Sequence, residues 1–282
     1  MAHSAAYSPQ KGPRRRLILH VGVQKTGSTA IQRHLGGNAD RLADHLILRT
    51  PGCGPLMRSL GRAAIGFSLG ETSKKQLQDA IADVLNDLPG GDLPVVISHE
   101  NLAGAMPGNG GETRLFPKLP RIAEILCDTA AGFDPQIVFY SRNLTQWRPS
   151  VWAQAVRTDG YTGTFADFER ETVDLPKWGD LLRRLTAAVG ANRVTRLRLE
   201  DETDPTRPGA QLLALVGVGA ADIAALPALQ GASMAQLSPA STEFLRRLNG
   251  QALNPHARYK VAELVARAQH LFAADAPPEG TF

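Results

Sequence analysis

Short apolar runs alternate with helical stripes along the chain. Leu17 to Val23 is apolar except for His20 and Gly22, which predicts a buried strand. A turn rich in Gly, Ser and Thr follows at Gln24 to Thr29, and Ala30 to Leu35 then reads as a helix stopped by Gly36-Gly37. Over residues 72–88, Leu77, Ile81, Val84, Leu85 and Leu88 share one helical face, and Pro89-Gly90-Gly91 ends it. Pro94 to Ser98 predicts a second buried strand, leading into His99-Glu100-Asn101. The loop Pro107 to Thr113 carries Gly108, Gly110 and Gly111 without periodicity, the pattern of a lid or substrate loop.

A short helix over Arg121 to Leu126 precedes a third buried strand, Gln136 to Ser141, which ends at Arg142. Helices follow at Thr145 to Val156, with Pro149 expected near the first turn, where proline is tolerated, at Phe165 to Glu171 and at Trp178 to Val189. Asn192 to Leu199 alternates apolar and basic residues as a strand would, and Gln211 to Val216 is a helix ending at Gly217. Two helices close the chain, the last with a stripe of Val261, Leu264, Val265, Ala268, Leu271 and Phe272. Strands alternating with helices predict the α/β class, with a mostly parallel central sheet flanked by helices on both faces. No clean linker divides the chain, so the expectation is a loose tail over residues 1–13 and one domain over 14–282.

Composition narrows the function classes. The 282 residues are 43% hydrophobic and 21% charged, which excludes disordered, collagen-like and disulfide-scaffold chains. The net charge is +4, a mild bias toward anionic ligands rather than the footprint of a nucleic-acid binder. No run approaches the roughly 18 apolar residues of a membrane helix. The triplet Arg14-Arg15-Arg16 reads as a solvated strand entry and not as a signal peptide. Cys53 and Cys127 stand far apart, with no CxxC and no His pair nearby. They predict free, at least half-buried thiols in a reducing, cytoplasmic setting, and no metal site.

The segment Gly22-Val23-Gln24-Lys25-Thr26-Gly27-Ser28-Thr29 carries the most chemistry. A strand runs into a loop that opens a helix, so backbone N–H groups and the helix dipole converge on one spot suited to an anion. Gly22 and Gly27 keep the spacing of the GxxxxGK[ST] loop of nucleoside triphosphatases, but Ser28 stands where that loop has lysine. The lysine lies at Lys25 instead, which leaves a β- and γ-phosphate clamp incomplete and counts against ATP hydrolysis. A plain Gly/Ser/Thr turn accounts for the same residues without any ligand.

His20 to Thr29 resembles the 5′-phosphosulfate loop of sulfotransferases that use 3′-phosphoadenylyl sulfate (PAPS). In that family the loop holds the 5′-phosphate, which assigns Lys25, Thr26, Gly27, Ser28 and Thr29 to nucleotide binding. A second match lies downstream. Arg142 at a strand end and Ser150 on the next helix, eight positions apart, resemble the family's 3′-phosphate motif. A guanidinium suits a near-dianionic terminal phosphate, and a Ser hydroxyl adds a neutral donor. Looser likeness covers Trp147, Trp152 to Gln154, Thr164 to Phe168 and Arg193 to Glu200, and resembles the bacterial branch. Leu237-Ser238-Pro239 and Phe244 to Asn249 are similar to a segment whose usual Asn-x-Ser part is replaced here around residues 232–236.

The resemblance implies a P-loop NTPase-like three-layer fold and metal-independent, in-line transfer of a sulfuryl group from PAPS to a hydroxyl or amine acceptor, with the desulfated nucleotide PAP as product. Lys25 would neutralise the leaving phosphate. Glu100 is the first candidate for the base that takes the acceptor's proton and His99 the second, since both follow a strand that ends beside Lys25. His20 reads as structural. The glycine-rich loop, Arg148 and Arg157 are candidates for an acceptor cleft, and carbohydrate, lipid, peptide and phenol acceptors all fit. Two alternatives stand beside this reading: a P-loop kinase dependent on Mg²⁺–ATP, and a nucleotide-binding module without turnover.

Overall fold

The computed structural model describes residues 14–230, 237–252 and 254–272. The expected tail over 1–13 and the replaced segment at 232–236 lie outside the described residues. In chain order the elements are β1 (Arg16–Val21), α1 (Ser28–Gly37), α2 (Ala39–Leu42), β2 (Ile47–Arg49), α3 (Pro55–Leu69), α4 (Lys74–Asn86), β3 (Val95–His99), α5 (Leu119–Thr129), β4 (Asp134–Ser141), α6 (Leu144–Gln154), α7 (Phe165–Glu171), α8 (Trp178–Val189), β5 (Val194–Arg198), α9 (Ala210–Val216), α10 (Ala220–Ala225), α11 (Pro239–Asn249) and α12 (Pro255–Arg267). A five-residue π-type turn, Ala155–Asp159, continues α6, and a 3-10 turn, Glu100–Ala103, continues β3.

The strands form one sheet in the order β2-β3-β1-β4-β5, and every neighbouring pair is parallel. Side chains alternate across it. From β1, Leu17, Leu19 and Val21 enter one core with α3, α4, α5 and α8. Ile18 enters the other, with Ile31 and Leu35 of α1 and Leu212, Leu213 and Val216 of α9. β4 does the same, with Ile137 and Phe139 on the first face and Val138 and Tyr140 on the second. A slip of one residue would exchange every side chain between the two cores, so the register is fixed by shape on both sides. The result is the expected three-layer α/β architecture, with helices on both faces of a parallel sheet. Among the described residues, no helix is long and apolar enough to cross a membrane.

The chain builds outward from β1 through β3 to β2 on one side and through β4 to β5 on the other. Such a reversal opens a crevice beyond the carboxyl ends of the central strands. Three segments emerge there together: residues 22–27 after β1, Glu100 after β3 and Arg142 after β4.

Several local expectations are corrected. Pro149 lies inside α6, not in its first turn, because that helix begins at Leu144. Arg15 is more than a solvated entry: its guanidinium donates to the carbonyls of Leu93 at 2.6 Å and Pro89 at 2.7 Å. Cys127 is buried, and that burial pushes its thiol up to about 11, whereas Cys53 is exposed. In α12 the buried stripe runs through Ala262 and Val265, while Leu264 faces outward. The sequence pattern also missed α3, α2, α10 and β2.

Candidate active site

The loop after β1 is shaped by its own side chains. Thr26 Oγ1 donates to the Val23 carbonyl at 2.6 Å, and Ser28 Oγ donates to the same oxygen at 3.2 Å. Both hydroxyls, expected to reach a phosphate, therefore brace the turn from inside, and Thr29 is the exposed hydroxyl of the three. A Cβ on Gly22 would lie 2.7 Å from Ser28 Oγ and 3.1 Å from Glu100 Cα, so the ends of β1 and β3 meet where only hydrogen fits. Gly27 precedes α1 with φ 88°, in the left-handed region that favours glycine, and no side chain caps the helix. The first-turn amides of α1 thus face the crevice with the positive end of the dipole behind them.

Lys25 forms the apex of this loop with φ 65°, an unfavourable conformation for a residue with a Cβ. Burial lowers the ammonium's pKa from its ordinary value, and the charges of Arg157 and then Arg142 lower it further. Among the described residues, Lys25, Arg142 and Arg157 have no carboxylate within ion-pair distance. A cation whose charge is opposed by two others and balanced by no carboxylate in ion-pair distance makes this loop a candidate anion site.

Arg142 and Ser150 come together as their spacing predicts. Arg142 Nη1 donates to Ser150 Oγ at 3.4 Å and to the backbone carbonyl of Lys25 at 3.3 Å. One guanidinium therefore bridges the two motifs. Two indoles, whose role the sequence did not disclose, hold the backbones on either side. Trp147 Nε1 donates to the Gln24 carbonyl at 2.9 Å, and Trp178 Nε1 donates to the Arg142 carbonyl at 2.6 Å. The two rings pack edge to face at 5.0 Å. Gln24 Nε2 reaches the Gly104 carbonyl at 3.1 Å, joining the loop to the turn after β3.

The two candidate bases differ in freedom. His99 Nδ1 accepts the Asn101 amide at 3.1 Å, so the ring caps the turn that follows. Its far edge presses on α3, where a Cβ on Gly61 would lie 2.1 Å from Nε2. Burial lowers the His99 pKa against the opposing pull of Glu100 and the Met57 carbonyl. Glu100 is about one-third exposed, with Oε2 3.9 Å from His99 Nδ1. That oxygen is buried without a hydrogen-bond partner. His20 is fully buried and pairs with Ser98 Oγ at 2.7 Å, and its ring meets Tyr140 edge-on at 5.5 Å.

No protein-family model matches the chain. No curated protein matches it either. Among solved structures, it is similar to a sulfotransferase from Alicyclobacillus acidocaldarius, with 16% sequence identity and a TM-score of 0.49 over 92% of this chain and 96% of that one.

Proposed function

We propose that the protein transfers a sulfuryl group from PAPS to a hydroxyl-bearing or amine acceptor. The observation that carries this reading is Arg142, whose guanidinium touches both Ser150 and the Lys25 backbone. Two motifs more than a hundred residues apart are thus joined, which would put Lys25 and Arg142 within reach of one nucleotide carrying separate 5′ and 3′ phosphates. The α1 amides, Thr29 and Lys25 take the 5′-phosphate, and Arg142 with Ser150 takes the 3′-phosphate. Ser28 in place of the NTPase lysine, with its hydroxyl turned inside the loop, weighs against a kinase.

In the transfer, the acceptor oxygen attacks sulfur and its proton passes to the Glu100 carboxylate. The bond between sulfur and the bridging oxygen breaks, and its electron pair stays on the 5′-phosphate of PAP. Lys25 stabilises the charge that develops there. Glu100 suits the base role because its side chain is about one-third exposed, whereas His99 is buried and committed to the turn and to α3.

Calorimetric titration with PAP tests the reading. Arg142→Ala and Lys25→Ala each remove charge-assisted contacts worth about 1.5–3 kcal/mol, so PAP affinity should fall about 10- to 100-fold in each. A wild-type protein that binds neither PAP nor PAPS refutes the proposal, and turnover of Mg²⁺–ATP without PAPS selects the kinase instead.

A further inference from the structure

The glycine-rich loop is anchored at both ends. At its start, a Cβ on Gly108 would lie 2.7 Å from Ala155 Cβ, and Asn109 Nδ2 donates to Asp159 Oδ1 at 2.8 Å. Beyond its end, Arg184 of α8 donates to the carbonyls of Leu115 at 2.6 Å and Phe116 at 3.3 Å. Between these anchors, Gly110 rests on the end of α3, where an added Cβ would lie 2.9 Å from Leu69 Cδ2. A cavity of about 370 Å³ opens there, with Ser68 and Leu69 as one wall and the loop from Gly110 to Arg114 as the other. That volume is at the small end of the roughly 300–1,000 Å³ of ligand pockets.

Contacts tie this cavity to the segment that carries Glu100. Ser68 Oγ accepts the Ala105 amide at 2.8 Å, and a Cβ on Gly104 would lie 2.9 Å from Ser68 Cβ. Gly104 ends the turn that Glu100 begins, and its carbonyl takes Gln24 Nε2 at 3.1 Å. At about 2 Å per residue, the four-residue turn from Glu100 to Ala103 rises only about 8 Å. The lining has a definite chemistry. Glu112 accepts Arg114 Nε at 2.9 Å and Nη2 at 3.0 Å, so the two charges cancel. Glu112 Oε1 also takes the Thr113 and Arg114 amides, at 3.0 and 2.8 Å, which leaves it little capacity to accept more. Among the described residues, the Gly110 and Gly111 amides and the Thr113 hydroxyl have no protein partner. The cavity thus presents donors without net charge, and Leu69 is the one large apolar side chain that lines it.

We propose that this cavity seats one ring of a neutral oligosaccharide acceptor, with a hydroxyl of the adjoining ring presented to Glu100. The inference rests on the sulfuryl-transfer reading above and names the acceptor class for it. A saccharide carries hydroxyl, ring and glycosidic oxygens. These accept from the Gly110 and Gly111 amides, the Thr113 hydroxyl and the outward N–H groups of the largely exposed Arg114. A phenol or an alkyl chain would desolvate those donors without pairing them and would find a single leucine to pack against. An anionic group would meet an arginine already neutralised by Glu112. Because the loop is anchored at both ends, little order has to be imposed on it when the sugar binds.

Transfer of label from PAPS tests it, with chitobiose, cellobiose and lactose set against their monosaccharides, 4-nitrophenol, dodecanol and a tyrosine-containing peptide. At least one disaccharide should be labelled, and more efficiently than its monosaccharide. Arg114→Ala and Thr113→Val, with thermal melts to confirm folding, should each raise the KM for that disaccharide about three- to tenfold and leave PAP affinity within about twofold. Thr113→Val keeps the side chain's shape and the Glu112–Arg114 pair, so it reports on the lining alone. Label confined to the phenol, the alcohol or the peptide overturns the inference, and so does an unchanged disaccharide KM in both variants. A wild-type protein that binds PAP but labels no saccharide overturns it while leaving nucleotide binding in place. One that binds neither PAP nor PAPS removes the sulfuryl-transfer reading itself, and this inference with it.

Discussion

Glu100 and Trp178 show two different ways a residue serves this cleft. The Glu100 side chain is about one-third exposed while one of its oxygens is buried beside His99, so the carboxylate is held in place and still open to an acceptor's proton. Glu100→Gln keeps the shape and removes the base, so turnover should fall about 10²- to 10⁴-fold while PAP affinity stays near wild type. Turnover within threefold of wild type takes Glu100 out of the mechanism. Trp178 acts at one remove, by fixing the Arg142 carbonyl. Trp178→Phe deletes one hydrogen bond of about 1 kcal/mol and keeps most of the packing, so the melting temperature should fall by about 2–4 °C and PAP should bind up to about fivefold more weakly as the Arg142 backbone loosens. Full affinity in that variant would release the indole from any part in the site. Lys25, Arg142, Ser150 and Glu100 stood out as candidates by type and spacing, because phosphate and proton chemistry admits few side chains, and the Arg142–Ser150 contact follows that spacing. Trp178 was not, since its part depends on a contact with a residue 36 positions away.

The helix α3 was invisible in the sequence for a physical reason. Its buried face mixes Met57 and Leu60 with Gly61, Ala64 and Gly66, so small residues dilute the apolar stripe. Gly61 admits the His99 ring, and Gly66 admits Thr72, whose Oγ1 would lie 2.2 Å from an added Cβ. Close approach therefore erased the periodicity on which recognition of a helix depends. The long helix α8 was read correctly end to end because Trp178, Leu181 and Leu185 face a conventional core. In α12, by contrast, Leu264 belongs to the apparent stripe yet points away from the core, so apolar spacing alone misassigned the buried face. At Gly61 the packing argument yields a measurable cost. A methyl group there must displace a buried imidazole, so Gly61→Ala should lose about 1–3 kcal/mol in urea unfolding with an unchanged slope. A gain in stability, as expected from alanine's better helix propensity, would mean that His99 has room to move.

For the molecule as a whole, the fold class and the parallel direction of the sheet followed from alternation of short apolar runs with helices, whereas the strand order came only with the structure. The short edge strand β2 was not legible either, since three residues carry too little pattern. The buried core also dictates a pH response. Desolvation lowers His20 to about 4, below its unfolded value near 6.5. The unfolded chain therefore binds the proton first, so this contribution to stability is complete above pH 6.5 and is lost as pH falls toward 4. His99 shifts in the same direction. His20 alone contributes on the order of 3 kcal/mol across that window. Urea midpoints at pH 7.5 and 5 should drop in wild type and drop much less in His20→Gln. An equal slope in both would assign the acid sensitivity to other groups.

The middle position of β1 has a consequence for how the protein is made. Its hydrogen-bonding partners are synthesised much later: Leu19 aligns with Ile97 on one side and with Ile137 on the other. Until Val95 to His99 have been added, this largely apolar strand has no neighbour to pair with. Contacts this distant in sequence are slow to form and leave sticky surface exposed meanwhile. The nascent chain thus emerges with its ligand loop already translated but unable to take shape until the arginine that anchors it has left the exit tunnel.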